Sequence, residues 1–265
     1  MGRGKAPPVI LAFGGFDPTG GAGILMDAMA VHAAGAYAVA VPSCLAIQTT
    51  ASFDRIVPLP REALDRSLAG AAESFRLRAV KVGMIGTRAA AEAILAFVAA
   101  NPRLPVVVDP VLRSSAGVPL MARAALPAYR RLLCHATVVT PNLPEAEKIL
   151  DRTADSFRDA VAAARDIAAA TGAAVVLKGG HFPWPGKRGT DVLFDAGRVT
   201  LLAGTAFPRG RDPHGTGCAL AAAIAARIAF GDTFIEAVRR AKMLLSSMAA
   251  SGFPSREGRW TLYAP

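Results

Sequence analysis

Short aliphatic runs recur along this chain, each ending at glycine or a polar residue and each followed by a stretch with helical spacing. The runs at 9–13, 37–45, 79–82, 105–108, 137–140 and 174–177 are too short for helices and are bounded by turn residues, so they read as buried strands. Between them, 24–34, 60–75, 87–100, 122–133 and 156–171 carry helical signals. Thr87 is placed to cap one helix, while Gly35 and Gly172 close two others. Pro144 suits the first turn of a helix that has Glu145 and Glu147 at its positive end. Leu64, Leu68 and Ala71 fall on one face of the 60–75 helix. Two further helices are expected, one after Gly217 and one near 233–251.

Strands alternating with helices along a whole chain call for parallel pairing with crossover helices. The expected fold is therefore α/β: a single doubly wound domain over 1–265, with a core of about 9–250 and a mainly parallel central sheet flanked by helices. Residues 51–58 are more polar and suit a short edge strand, and 191–194 with 198–202 suit a hairpin around 195–197. Residues 182–189 hold two prolines and two glycines and read as a loop and candidate lid, while the tail after Gly252 reads as irregular.

Polar residues collect just after the aliphatic runs: Gly15 and Asp17, Gln48, Gly83 and Met84, Asp109, Asn142 and Glu145, Lys178 and Gly180. In a parallel sheet these positions form one edge, where ligands bind. Turn chemistry alone also accounts for Asp109-Pro110 and for Asn142. The stretch His214-Gly-Thr-Gly-Cys218, opening an Ala-rich helix, adds a glycine turn whose free N–H groups favour an anion. Cys218 falls in that helix's first turn, where the same field favours a thiolate, although a plain packing role suits it too. Two acids, an amide, a lysine and an anion turn make a phosphoryl-transfer set. Carboxylates hold Mg²⁺, often through water, and a lysine and N–H groups hold phosphate oxygens as charge develops.

Composition limits the partners. Lys plus Arg exceed Asp plus Glu by 30 − 20 = 10, which suits an anionic substrate, but no long basic run marks a nucleic-acid binder. Three scattered cysteines suit a reducing, cytoplasmic setting with no disulfide framework. No apolar run is long enough for a membrane span. Neither G-x-G-x-x-G nor a Walker P-loop follows the first strand.

The order of motifs resembles a known family. Phe13-Gly-Gly-Phe-Asp-Pro-Thr-Gly-Gly-Ala-Gly23 with Asp27, then Val82-Gly-Met-Ile, Val108-Asp-Pro-Val, Thr140-Pro-Asn-Leu-Pro-Glu-Ala146, Lys178-Gly-Gly-His181 and His214-Gly-Thr-Gly-Cys218 are similar to the hydroxymethylpyrimidine/phosphomethylpyrimidine kinases. These belong to the ribokinase superfamily, and the match runs from about Val9 to about Ala250. The resemblance implies an ATP- and Mg²⁺-dependent kinase of thiamine biosynthesis. It would phosphorylate 4-amino-5-hydroxymethyl-2-methylpyrimidine and then its monophosphate. It also implies a homodimer, for which the edge strand near 55–58 is a candidate contact.

Carried over by position, Gly15, Asp27, Gln48 and Met84 would line the pyrimidine site. Asn142, Glu145, Lys178 and Gly180 would meet the nucleotide phosphates, with Asp109 and Glu145 at the metal. Gly215, Thr216 and Gly217 would be the oxyanion turn, and Cys218 would stand where other superfamily members carry a catalytic Asp. A thiol with an ordinary pKa of about 8.5 serves as a base at neutral pH only if the helix terminus lowers that value.

The sequence departs from the family at Phe16, which is expected to enlarge the pocket, and at Thr49 and Pro213. It also lacks a lysine near Ser115, which puts the second phosphorylation in question. A pyridoxal kinase-like enzyme, a non-catalytic pyrimidine-binding protein and, from charge alone, a nucleic-acid binder are the rival readings.

Overall fold

The computed structural model describes residues 6–114, 117–204 and 213–264. The first half of the chain forms β1 (Val9–Phe16), α1 (Gly23–Ala33), β2 (Tyr37–Gln48), β3 (Phe53–Pro58), α2 (Arg61–Ser74), β4 (Leu77–Val82), α3 (Arg88–Ala100), β5 (Val106–Val108), α4 (Leu126–Leu133) and β6 (Val138–Val139). The second half forms α5 (Leu143–Leu150), α6 (Phe157–Thr171), β7 (Ala174–Leu177), β8 (Thr190–Asp195), β9 (Arg198–Ala203), α7 (Thr216–Phe230), α8 (Phe234–Ala250), β10 (Phe253–Pro254) and β11 (Trp260–Thr261).

Nine strands make one sheet in the order β3-β2-β1-β4-β5-β6-β7-β8-β9. From β2 to β7 all neighbours pair in parallel, and the edges β3, β8 and β9 pair antiparallel. This is the expected mainly parallel, doubly wound α/β sheet. The chain leaves β1 towards β2 on one side and returns as β4 on the other. The carboxyl ends of β1 and β4 therefore flank a topological switch point, where such sheets bind ligands.

Helices cover both faces. On one face α2, α3 and α4 bury Leu64, Leu68, Ile94 and Leu132 against Phe13, Val80 and Val108. On the other, α1, α7 and α8 pack over Ile10, Ala79 and Val107. Helix α7 is buried on nearly every side from Ala219 to Ala226. Its alanines let neighbouring backbones approach closely, which is why it carries no polar stripe.

Element boundaries depart from expectation in several places. The first strand runs on through Gly14 and Gly15 to Phe16, and the second to Gln48. The 122–133 segment divides into a 3₁₀ turn at Arg123–Ala125 and α4, because Pro127 fits only a first helical turn. The 137–140 strand shortens to β6. The tail is not irregular: β10 and β11 pair as a hairpin, and His214 bridges to Thr261. Among the described residues, no helix is long and apolar enough to cross a membrane.

Candidate active site

The glycine turn sits where the sequence placed it, at the N-terminus of α7. Gly215 has φ +79°, and a Cβ there would collide with the carbonyl of Gly21. Only glycine lets the loop after β1 lie against this turn. The lysine after β7 reaches the same spot, since a Cβ on Gly217 would come within 3.1 Å of Lys178 Nζ. Residues 39 apart in sequence thus converge on the first turn of α7.

Two cavities meet there. One, of about 460 Å³, is lined by Gly15, Gln48, Met84, Asp109 and Cys218 among others. The second, of about 520 Å³, has Gly180, Phe182, Pro183, Leu220 and Leu245 in its walls. Asn142, Lys178, Thr216 and Gly217 line both. One chamber therefore opens to the other across the lysine and the anion turn.

The charges across this floor alternate in sign. Lys178 Nζ donates to Asp109 Oδ1 at 2.6 Å and lies 3.8 Å from Glu145 Oε2. Thr140 Oγ1 donates to the same Asp109 oxygen at 3.2 Å. Burial works against the Lys178 charge, but Asp109 and then Glu145 outweigh it and raise its pKa. Glu145 is pushed up to about 7, first by burial and then by Asp109, against the pull of Lys178. Two carboxylates sharing one ammonium leave negative charge that a divalent cation would offset, so this donor set fits Mg²⁺ held through water. Among the described residues no group of three or more His, Cys, Asp or Glu could hold a metal by protein ligands alone.

Asn142 and Glu145 also form a capping box at the start of α5. The Asn142 carboxamide oxygen accepts from Glu145 N at 2.9 Å, and Glu145 Oε2 accepts from Asn142 N at 2.8 Å. The local motif that begins a helix thereby fixes two polar side chains in the wall of the Gln48–Met84 chamber, Asn142 lining the second chamber as well.

A second lysine–aspartate pair lies deeper. Lys81, inside β4, and Asp27, on α1, are both 0% exposed and approach to 2.7 Å. Burial raises Asp27 to about 6 despite Lys81. Asp27 Oδ1 lacks a well-directed hydrogen bond. Asp27 borders the Gln48–Met84 chamber, with Oδ2 accepting from Lys81 Nζ at 2.8 Å.

Lys81 was missed by the sequence reading. Its signal was a cation inside an otherwise aliphatic strand, which must find a buried partner. Arg113 and Arg259 were missed as well, and both line the Gln48–Met84 chamber.

Cys218 overturns one expectation. It lines the Gln48–Met84 chamber, but burial pushes its thiol up to about 12, against the opposing effect of Lys81. The helix terminus does not make it a thiolate, because desolvation of the sulfur outweighs the local field. Phe16 is a second correction: Gly15 and Asp17 line the chamber while Phe16 between them does not, so it does not enlarge the pocket. Arg211, Asp212, Ser115 and Ala116 lie outside the described residues.

Comparison with known proteins decides the family. The phosphomethylpyrimidine kinase family model matches residues 17–262. The chain belongs to the phosphomethylpyrimidine kinase family. It is 34% identical over 242 residues to a hydroxymethylpyrimidine/phosphomethylpyrimidine kinase of Staphylococcus aureus, covering 91% of this chain and 87% of that protein. It is 33% identical over 231 residues to a thiamine biosynthesis multifunctional protein ThiED of Corynebacterium efficiens, covering 87% of this chain but 31% of that longer protein. Among solved structures, the pyridoxal kinase of Staphylococcus aureus in complex with ADP superposes with a TM-score of 0.86 at 28% identity, covering 97% of this chain and 93% of that one.

Proposed function

We propose that this kinase transfers the γ-phosphoryl group of ATP to the hydroxymethyl group of 4-amino-5-hydroxymethyl-2-methylpyrimidine, and then to the resulting monophosphate. The observation that carries the reading is the pair of chambers joined at Lys178 and the Gly215–Gly217 turn. The chamber with Gln48 and Met84 takes the pyrimidine, and the chamber with Gly180 and Phe182 takes the nucleotide. Gln48, at the end of β2, is suited to hydrogen-bond the aminopyrimidine edge. Met84 packs against Gly15, where a Cβ would collide with its methyl group, so the ring meets a flat wall.

Lys178 and the N–H groups of Thr216 and Gly217 hold the transferring phosphoryl group, whose transition state is loose and governed by positioning and charge. Asp109 and Glu145 would hold Mg²⁺ through water, and the ion supplies neutralisation of the nucleotide phosphates. Asp109 is the acceptor for the alcohol proton, and Cys218 contributes shape to the chamber as a neutral thiol. Homodimerisation through the exposed edge strand β3 and a cytoplasmic site of action belong to the same reading.

ADP release tests this reading, with ATP, Mg²⁺ and the pyrimidine alcohol supplied to the purified protein. Saturable turnover is expected; its absence at millimolar acceptor defeats the reading. A second reading, a pyridoxal kinase, is favoured by the backbone likeness to the Staphylococcus aureus enzyme. The same assay with pyridoxal decides between them by comparing kcat/KM for the two alcohols.

A further inference from the structure

The two lysines of the acceptor chamber are already neutralised, Lys81 by Asp27 and Lys178 by Asp109. Two other cations line this chamber, Arg113 and Arg259. Arg113 Nη1 donates to the carbonyl of Gly117 at 2.9 Å. Among the described residues, neither guanidinium has a carboxylate within ion-pair distance. The nearby acids are engaged elsewhere. Asp17 accepts from Thr19 and from Ala22 N, and Glu257 is held by Thr50.

Arg259 belongs to the C-terminal hairpin, and that hairpin is tied down at both of its ends. Thr50, in the loop after β2, contacts Ser255 and Glu257. His214 N donates to the carbonyl of Trp260 at 3.2 Å, joining the hairpin to the residue before the anion turn. The Arg259 charge is felt at His214, whose pKa is lowered first by burial and further by this neighbour. The hairpin is therefore anchored beside the glycine turn, and it brings Arg259 into the lining of the acceptor chamber.

A neutral aminopyrimidine alcohol offers these two guanidinium groups no opposite charge. A phosphomonoester does, because its oxygens accept paired, charge-assisted hydrogen bonds from arginine. We infer that Arg259, with Arg113 in the same chamber lining, binds the phosphate of the monophosphate acceptor and sets the preference for the second phosphorylation over the first. In that step an oxygen of the bound phosphomonoester attacks the γ-phosphorus of ATP. The new P–O bond forms as the bond to the β–γ bridging oxygen breaks, and ADP leaves with that oxygen. The attacking phosphate, with a second pKa of about 6, is already ionised, so the step releases no alcohol proton and needs cations rather than a base.

The inference rests on the acceptor reading of this chamber, so the test measures both acceptors on each protein. For Arg259→Gln, the ratio of kcat/KM for the monophosphate to that for the alcohol falls at least tenfold, mainly through the monophosphate KM. Arg259→Lys recovers part of the ratio, and Arg113→Gln lowers it further. On the unmodified protein, raising ionic strength increases the monophosphate KM more than the alcohol KM, because both guanidinium groups are reached by solvent. That measurement stands even where a variant folds poorly. A ratio within twofold of wild type in Arg259→Gln, with equal salt dependence of the two KM values, overturns the inference and leaves the alcohol kinase reading intact. An unmodified protein that phosphorylates the alcohol but not the monophosphate also overturns it. Turnover of neither acceptor removes both readings together.

Discussion

Two lysine–aspartate pairs lie on one floor and differ in what surrounds them. Lys81 and Asp27 are sealed, both 0% exposed, between β4 and α1. Lys178 and Asp109 sit at the rim, where the Lys178 side chain keeps 15% exposure and a second carboxylate, Glu145, stands 3.8 Å away. The sealed pair is nearly self-neutralising, whereas the rim group carries surplus negative charge and faces two chambers. Identical chemical partners thus meet different surroundings: one pair is closed off from solvent, the other lies beside a second carboxylate in a cavity wall.

Breaking the sealed pair is expected to have the largest effect. Lys81→Met leaves a buried carboxylate without its cation, a loss of about 3–5 kcal/mol in folding stability read by urea denaturation. Replacing both partners, Asp27→Leu with Lys81→Met, is expected to restore most of that loss, because apolar groups of similar volume need no partner. A double variant as unstable as the single one would mean the pair does more than balance charge.

At the rim the expected effect is on turnover rather than folding. Lys178→Met removes a donor aimed at the transferring group, and turnover is expected to fall about 10²–10³-fold with the urea midpoint little changed. Equal losses of stability in the Lys81 and Lys178 variants would erase the distinction between the pairs.

The sealed pair also predicts a pH dependence. Asp27 titrates near 3.8 in the unfolded chain and at about 6 when folded, so between these values the folded state holds more protons. The Asp27 contribution is therefore fully present below pH 3.8 and is lost as pH rises through about 6. The stability difference between wild type and the apolar double variant should shift in favour of the variant across that window. Denaturation at several pH values checks the sign.

The smallest effect is expected at Cys218. A general base is worth about 10²–10⁴-fold, but a thiol pushed up to about 12 is protonated at neutral pH. Cys218→Ala is expected to lower turnover by no more than about tenfold. A loss of a thousandfold in kcat would restore Cys218 as the proton acceptor.

Much of this was readable without coordinates. The glycine turn, Asn142, Glu145 and Lys178 announced themselves because each is a local departure from an aliphatic or helical pattern. Lys81 was hidden inside such a pattern, and its partner lies 54 residues earlier. The β10–β11 hairpin escaped notice because strands of two residues leave no periodicity to read.

The alternation of strand and helix, the ligand edge and the phosphate turn follow from short-range features: side-chain period, glycine freedom and helix-terminal dipoles. These act within a few residues, so a linear reading captures them. The protonation of Cys218, the neutralisation of Lys81 and Lys178, and the two chamber arginines that have no carboxylate partner among the described residues depend on which charges meet after folding. Coulomb interaction and desolvation act through space, and only the packed chain brings Arg113 and Arg259 to the same opening.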